Sequence, residues 1–285
     1  MIRGEENLFA NSLERPAAHP PAGSDEVHLR VLGPLEVGVG DRPIGLGGPR
    51  IRTLVALLAA NAGRVMSVGA LADALWGMDA PLRAHRTVLT YLSRLRRALS
   101  PAAAAMGGRE PLETHPAGYA LRLPPDAVDA SRFERLVTEG RAALAAGRPA
   151  TAAELLSFAL ALWRGDAYGE FAAVPALRTE ATRLRELRLT AVAGRVDAEL
   201  ATGASVSLID ELTGLTEEYP GHDRWWAQLM VALYRAGRQA DASDVFGRAR
   251  TVLIERFGLD PSPRLVETHR QVLDNDIRLT HRATG

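Results

Sequence analysis

The sequence predicts a mainly α, multi-domain protein in which a small β-sheet leads into three helices and a hairpin, followed by an all-α helical-repeat half. Three observations carry this expectation. The first is the run RTVLTYLSRLRRAL, residues 86–99, with short strands and helices before it and a hairpin-like stretch after it. The second is a set of glycine turns with alanines at fixed offsets, in a half dominated by alanine, leucine, arginine and glutamate. The third is charge. The formal net charge is zero, yet residues 27–123 hold 12 arginines against 6 acids, residues 124–285 hold 20 against 23, and residues 1–26 hold 2 against 5.

HLRVL (28–32), LEVGV (35–39) and RPIGL (42–46) are short apolar runs divided by Gly33-Pro34 and Gly40-Asp41, and read as three small strands. A helix is expected over 49–60, because Pro49 suits a first helical position and Ile51, Leu54, Val55, Leu57 and Leu58 supply an apolar stripe. Ser67 is placed to cap a second helix, in which Val68, Leu71, Leu75 and Trp76 have helical spacing before Gly77 ends it.

In the third helix, 86–99, Val88, Leu92, Leu95 and Leu99 fall in one arc, while Arg86, Thr90, Arg94 and Arg97 cluster on the far side. A small-residue segment (101–111) separates it from LETHPAGYALRL (112–123). There Leu112 and Thr114 suit one strand, Tyr119, Leu121 and Leu123 the other, and Pro116-Ala117-Gly118 the turn. The arginine-bearing face is chemically suited to a major groove. Arginine donates bidentately to guanine O6 and N7, threonine offers a methyl and a hydroxyl, and further arginines neutralise phosphates. The positive excess over 27–123 favours the same partner.

Residues 27–123 resemble the winged helix-turn-helix of OmpR-type response regulators, whose recognition helices read much like RTVxxxxSRLRR. The resemblance implies that the third helix enters a major groove and that the hairpin, the wing, reaches a minor groove. Carried over by position, Thr90 and Arg94 would contact bases, and Arg86, Thr87, Tyr91, Arg96, Arg97 and Thr114 would lie near phosphates. His115 and Tyr119 would belong to the wing, whose turn here is His115-Pro116-Ala117 in place of the arginine many relatives carry. In OmpR-type proteins the loop before the recognition helix resembles the surface that touches RNA polymerase. Here that loop is GMDAPLRA (77–84), with Met78, Asp79 and Leu82 as candidates.

Internal repetition marks the second half, 131–279. Gly237-Arg238 with Ala242, Phe246 and Ala249, preceded by Trp226 and Leu229, matches tetratricopeptide spacing at a helix-pair turn. Gly147-Arg148 with Ala152, Leu156 and Ala159 is a second copy, and Gly203 precedes Gly237 by one period, although Leu208 stands where an alanine is expected. Residues 162–181 interrupt the period with a loop. VDASRFERL (128–136), ALALWRGDAY (159–168), ALYRAGRQADA (232–242) and FGLDPSPRL (257–265) resemble the bacterial transcriptional activator domain.

With the winged segment in front, the pair resembles the Streptomyces antibiotic regulatory protein (SARP) family. The expected division is a tail (1–26), a DNA-binding domain (27–123), a linker (124–130) and the activator domain (131–279). The resemblance implies binding of double-stranded DNA at promoter direct repeats as a side-by-side homodimer. It also implies recruitment of RNA polymerase holoenzyme with its sigma factor, for a secondary-metabolite gene cluster.

An enzyme is not expected. The histidines, among them His28, His85, His115, His222 and His269, never form an HxxxH or HExxH pair, so no metal site is expected. GVGDRPIGLGG (38–48) has no GK[ST], and its glycines fall at hairpin turns, so no nucleotide or other cofactor is expected. Cysteine is absent, no apolar run is long enough to span a membrane, and residues 1–26 lack the apolar core of a signal peptide. A cytoplasmic, nucleoid-associated protein is therefore expected. The competing reading is a helical-repeat interaction scaffold or ligand sensor whose winged part is not a specific DNA binder. Salt-dependent duplex binding separates the two.

Overall fold

A computed structural model describes residues 26–276. These fall into two compact units, one built from residues 26–136 with 158–188, the other from residues 137–157 with 189–276.

The first unit opens with an antiparallel sheet of β1 (Val27–Arg30), β2 (Glu36–Val39) and β3 (Arg42–Pro43), in that spatial order. Leu29 faces Val37 and Val27 faces Val39 across the β1–β2 pair, and all four are buried. The first strand ends earlier than its apolar run, because the N–H groups of Val31 and Leu32 turn to the carboxylate of Asp129. The third is cut short at Pro43, which has no N–H to give a ladder.

Helix α1 (Pro49–Ala60) begins at proline and buries the expected stripe, and α2 (Val68–Trp76) is capped by Ser67, whose hydroxyl accepts the Ala70 N–H at 3.1 Å. Helix α3 (Ala84–Ala98) starts two residues before the expected run. Part of the small-residue segment is itself helical: α4 (Ser100–Ala105) has proline in its first turn and strong helix formers after it, and Ala102 packs on Val27 and Val39. Strands β4 (Leu112–His115) and β5 (Gly118–Leu121) form the hairpin.

Residues beyond the hairpin complete this unit. Val128 bridges Leu29, and Asp129 opens α5 (Asp129–Ala145). The loop that interrupts the repeat lies along residues 31–35: Arg164 and Tyr168 donate their N–H groups to the carbonyls of Leu32 (2.7 Å) and Val31 (2.9 Å), and the Glu170 carboxylate accepts the Leu35 N–H (2.7 Å). Glu170 also pairs with Arg52 at 2.7 Å. Trp163 meets Phe133 edge-on at 5.3 Å with the Arg188 guanidinium over its ring at 4.7 Å.

The helical remainder comprises α6 (Pro149–Leu160), α7 (Pro175–Thr202), α8 (Ile209–Glu218), α9 (Asp223–Arg235), α10 (Gln239–Val252) and α11 (Pro263–Leu273). The repeat register holds: Gly147, Gly203 and Gly237 follow α5, α7 and α9 with φ of +70°, +96° and +77°. Ala152, Leu156, Ala159, Ala242 and Ala249 are fully buried. At the weakest copy Leu208 is buried, and a short 3₁₀ turn (Val206–Leu208) precedes α8. Phe246 is half-buried and stacks on His269 at 4.0 Å.

Candidate nucleic-acid interface

Helix α3 separates its two faces cleanly. Val88, Leu92, Leu95 and Leu99 are each 2 % exposed or less, anchoring the helix in the core, whereas Arg86, Thr90, Arg94 and Arg97 are exposed. Among the described residues none of these three arginines, nor Arg83 just before the helix, has a carboxylate partner. An exposed cation with no acid beside it keeps its full charge for an incoming anion. The Thr87 and Thr90 hydroxyls donate to the carbonyls one turn earlier, of Arg83 (3.1 Å) and Arg86 (3.0 Å). Each oxygen keeps lone pairs for a further bond, and each methyl is left as the group a base edge could meet.

The flanks of α3 are held differently. Tyr91 stacks on Trp76 of α2, ring centroids 6.3 Å apart, and the Arg50 guanidinium lies over the same indole at 5.7 Å. Arg96 donates to the Thr114 hydroxyl at 2.8 Å and to the Leu112 carbonyl at 3.4 Å, so two residues expected at phosphates are joined to each other across α3 and β4. Leu89 was not among the expected contacts, yet it is 44 % exposed on the same helix. The helical period places it beside Ser93, on the side of α3 away from Val88 and Leu95.

The hairpin turns at Pro116-Ala117, and Gly118 belongs to β5, opposite His115. His115 is exposed, and its Nδ1 accepts the Ala117 N–H at 3.2 Å, which puts the neutral ring's proton on Nε2. Tyr119 exchanges both backbone hydrogen bonds with Met66 (2.8 and 2.9 Å), so the segment before α2 is a third edge of the wing. Glu113 pairs with Arg122 at 3.2 Å on the exposed hairpin. In the loop before α3, a 3₁₀ turn (Gly77–Asp79) leads into an extended Ala80; Met78 and Leu82 are fully exposed, and Asp79 is exposed with them.

Among the described residues no helix is long and apolar enough to cross a membrane, and no group of three histidines and acids could hold a metal ion.

Comparison with known proteins identifies both halves of the chain. Residues 43–121 match the model of the C-terminal domain of transcriptional regulatory proteins, and residues 128–273 match the bacterial transcriptional activator domain. Regulatory protein DnrI of Streptomyces peucetius is 35% identical over 88% of this chain and 93% of its own length. The chain belongs to the Streptomyces antibiotic regulatory protein family. Regulatory protein AfsR of Streptomyces griseus is 37% identical to this SARP over 92% of the chain, which spans only 26% of AfsR. A solved structure of Mycobacterium tuberculosis EmbR, in complex with a low-affinity phosphopeptide, superposes with a TM-score of 0.82 at 32% identity. That superposition covers 91% of this SARP and 69% of the EmbR chain. AfsR and DnrI are both named as regulatory proteins.

Proposed function

We propose that this SARP is a sequence-specific DNA-binding activator that sets α3 in a major groove and recruits RNA polymerase holoenzyme, sigma factor included, at a secondary-metabolite promoter. The observation that supports it most is the exposed face of α3, where Arg86, Arg94 and Arg97 flank Thr90 with no acid paired to them among the described residues. On this reading residues 27–123 carry the DNA contacts, residues 131–279 supply the helical-repeat part, and two protomers lie side by side on direct repeats. One winged domain reads too few base pairs to be specific alone, which is why a pair is needed.

Arg94 and Arg97 distinguish reading from attraction. Arg94→Ala should weaken binding to a selected site by about 1–3 kcal/mol and relax the preference at one or two positions. Arg97→Ala should weaken all duplexes alike and lower the salt slope by about one. Binding titrations on selected and scrambled duplexes at several salt concentrations measure both. Equal loss on the two duplexes for Arg94→Ala would remove its base-reading role, and no salt-dependent duplex binding at all would leave the interaction-scaffold reading.

Polymerase contact is assigned to the loop before α3. Replacing Met78, Asp79 and Leu82 together with alanine should leave DNA affinity nearly intact, because none of the three is a cation facing phosphate. Transcription from a target promoter with purified holoenzyme should fall. If affinity and output fall together, the loop only supports the fold; if neither changes, activation resides in the helical repeats.

A further inference from the structure

Arginines and threonines of α3 account for hydrogen bonding to bases and phosphates, but one exposed side chain on the helix can do neither. Leu89 is 44 % exposed, while Val88, Leu92 and Leu95 around it are buried. By helical geometry it projects between Ser93 and Arg96, at the edge of the Arg86–Thr90–Arg97 face nearest the wing, since Arg96 is tied to Thr114 of β4. A leucine there cannot serve the helix core, and no aromatic or ionic contact involves it. Its chemistry restricts what it can gain from. In a major groove the one apolar feature on a base edge is the C5-methyl of thymine, whereas the cytosine N4 amine or guanine O6 placed against a leucine would lose water without a replacement partner.

We propose that Leu89 is a specificity-determining residue that selects a thymine, through its C5-methyl group, on the wing side of the base pairs met by Arg94 and Thr90. This rests on the DNA-binding reading above and adds to it a base identity that no hydrogen bond would specify. Burying one methyl-sized apolar group corresponds to about a fourfold gain in affinity, small against the arginine contacts yet enough to fix one position of a site.

The test uses the full chain and a duplex selected by it from a random pool. Each thymine of one half-site is replaced in turn by deoxyuridine, which removes only the methyl group. At one position the unsubstituted protein should lose about fourfold in affinity. Leu89→Ala, which keeps a strong helix former, should bind the thymine duplex about fourfold more weakly and show no further loss with deoxyuridine. Leu89→Met, which retains an apolar reach, should keep the sensitivity. If no thymine is sensitive, or if Leu89→Ala keeps the same sensitivity, the assignment is overturned while DNA binding stands. If the pool yields no enriched duplex, the DNA-binding reading falls and Leu89 with it.

Discussion

Gly118→Ala should lower the unfolding free energy of the winged unit by about 3–5 kcal/mol, the sum of a strained backbone, a collision and a broken strand pair. Gly118 has φ of +148°, and a Cβ built on it would lie 2.0 Å from the Met66 carbonyl oxygen and 2.8 Å from the Ser67 Cα. Both obstacles are backbone, so no side-chain rotation relieves them. Met66 would have to withdraw, breaking its reciprocal hydrogen bonds with Tyr119, and the movement would reach Ser67, the cap of α2. Gly108→Ala is the control, because Gly108 has φ of +85° but open space where its Cβ would go. That variant should cost only about 1–2 kcal/mol, the conformational part alone. Urea unfolding of both variants separates the two contributions, and hydrogen exchange over residues 63–66 and 118–121 locates the damage. Equal, small losses would mean that the wing is not clamped against Met66.

Much of this architecture was legible because local rules and tertiary packing agree. Ser67, Pro49 and the glycines 147, 203 and 237 each act at the element end where their backbone chemistry suits them, and Val88, Leu92, Leu95 and Leu99 are buried as their spacing requires. Partners distant in sequence were not legible. Glu170 is exposed and lies in a loop that simply breaks a repeat period, and nothing nearby indicates that it accepts the Leu35 N–H and pairs with Arg52 of α1. The same holds for Trp163, whose pairing with Phe133 and Arg188 depends on the path of the loop.

The candidate site divides in the same way. The arginine face of α3 follows from a period of 3.6 residues and is visible in sequence, whereas the tie between Arg96 and Thr114 depends on how β4 lies against the helix. That tie changes what Arg96 can do, since a guanidinium already bonded to a wing hydroxyl and carbonyl orients the wing and has fewer donors left for an anion. Leu89 shows the reverse case. Apolar residues are read by default as core, and only its exposure among buried neighbours distinguishes it.

Asp129→Ala should cost about 3–5 kcal/mol, because it leaves two buried backbone donors unpaired at once. Val31 and Leu32 are 1 % exposed or less, and their N–H groups reach the Asp129 carboxylate at 2.8 and 3.1 Å. Arg164 is 3.8 Å away, near enough to favour the charge but too far for a strong hydrogen bond. Burial dominates, pushing the carboxyl up from 3.8 to about 6 against the pull of the two N–H groups and Arg164. The direction fixes the pH dependence. A carboxyl whose pKa is higher folded than unfolded takes up a proton more readily in the native state, so its contribution to stability grows as pH falls from 7 through 6 and is complete below about 4. Between those limits the shift corresponds to about 3 kcal/mol. Asp129→Asn keeps the shape and one acceptor but cannot titrate, so subtracting its stability from that of the unsubstituted protein cancels the other carboxylates. The difference should move in favour of the unsubstituted protein as pH falls from 7 to 4. A difference that stays level would show that the N–H bonds and Arg164 offset burial and leave the carboxyl at its ordinary value, and one that moves against the unsubstituted protein would show that they outweigh burial.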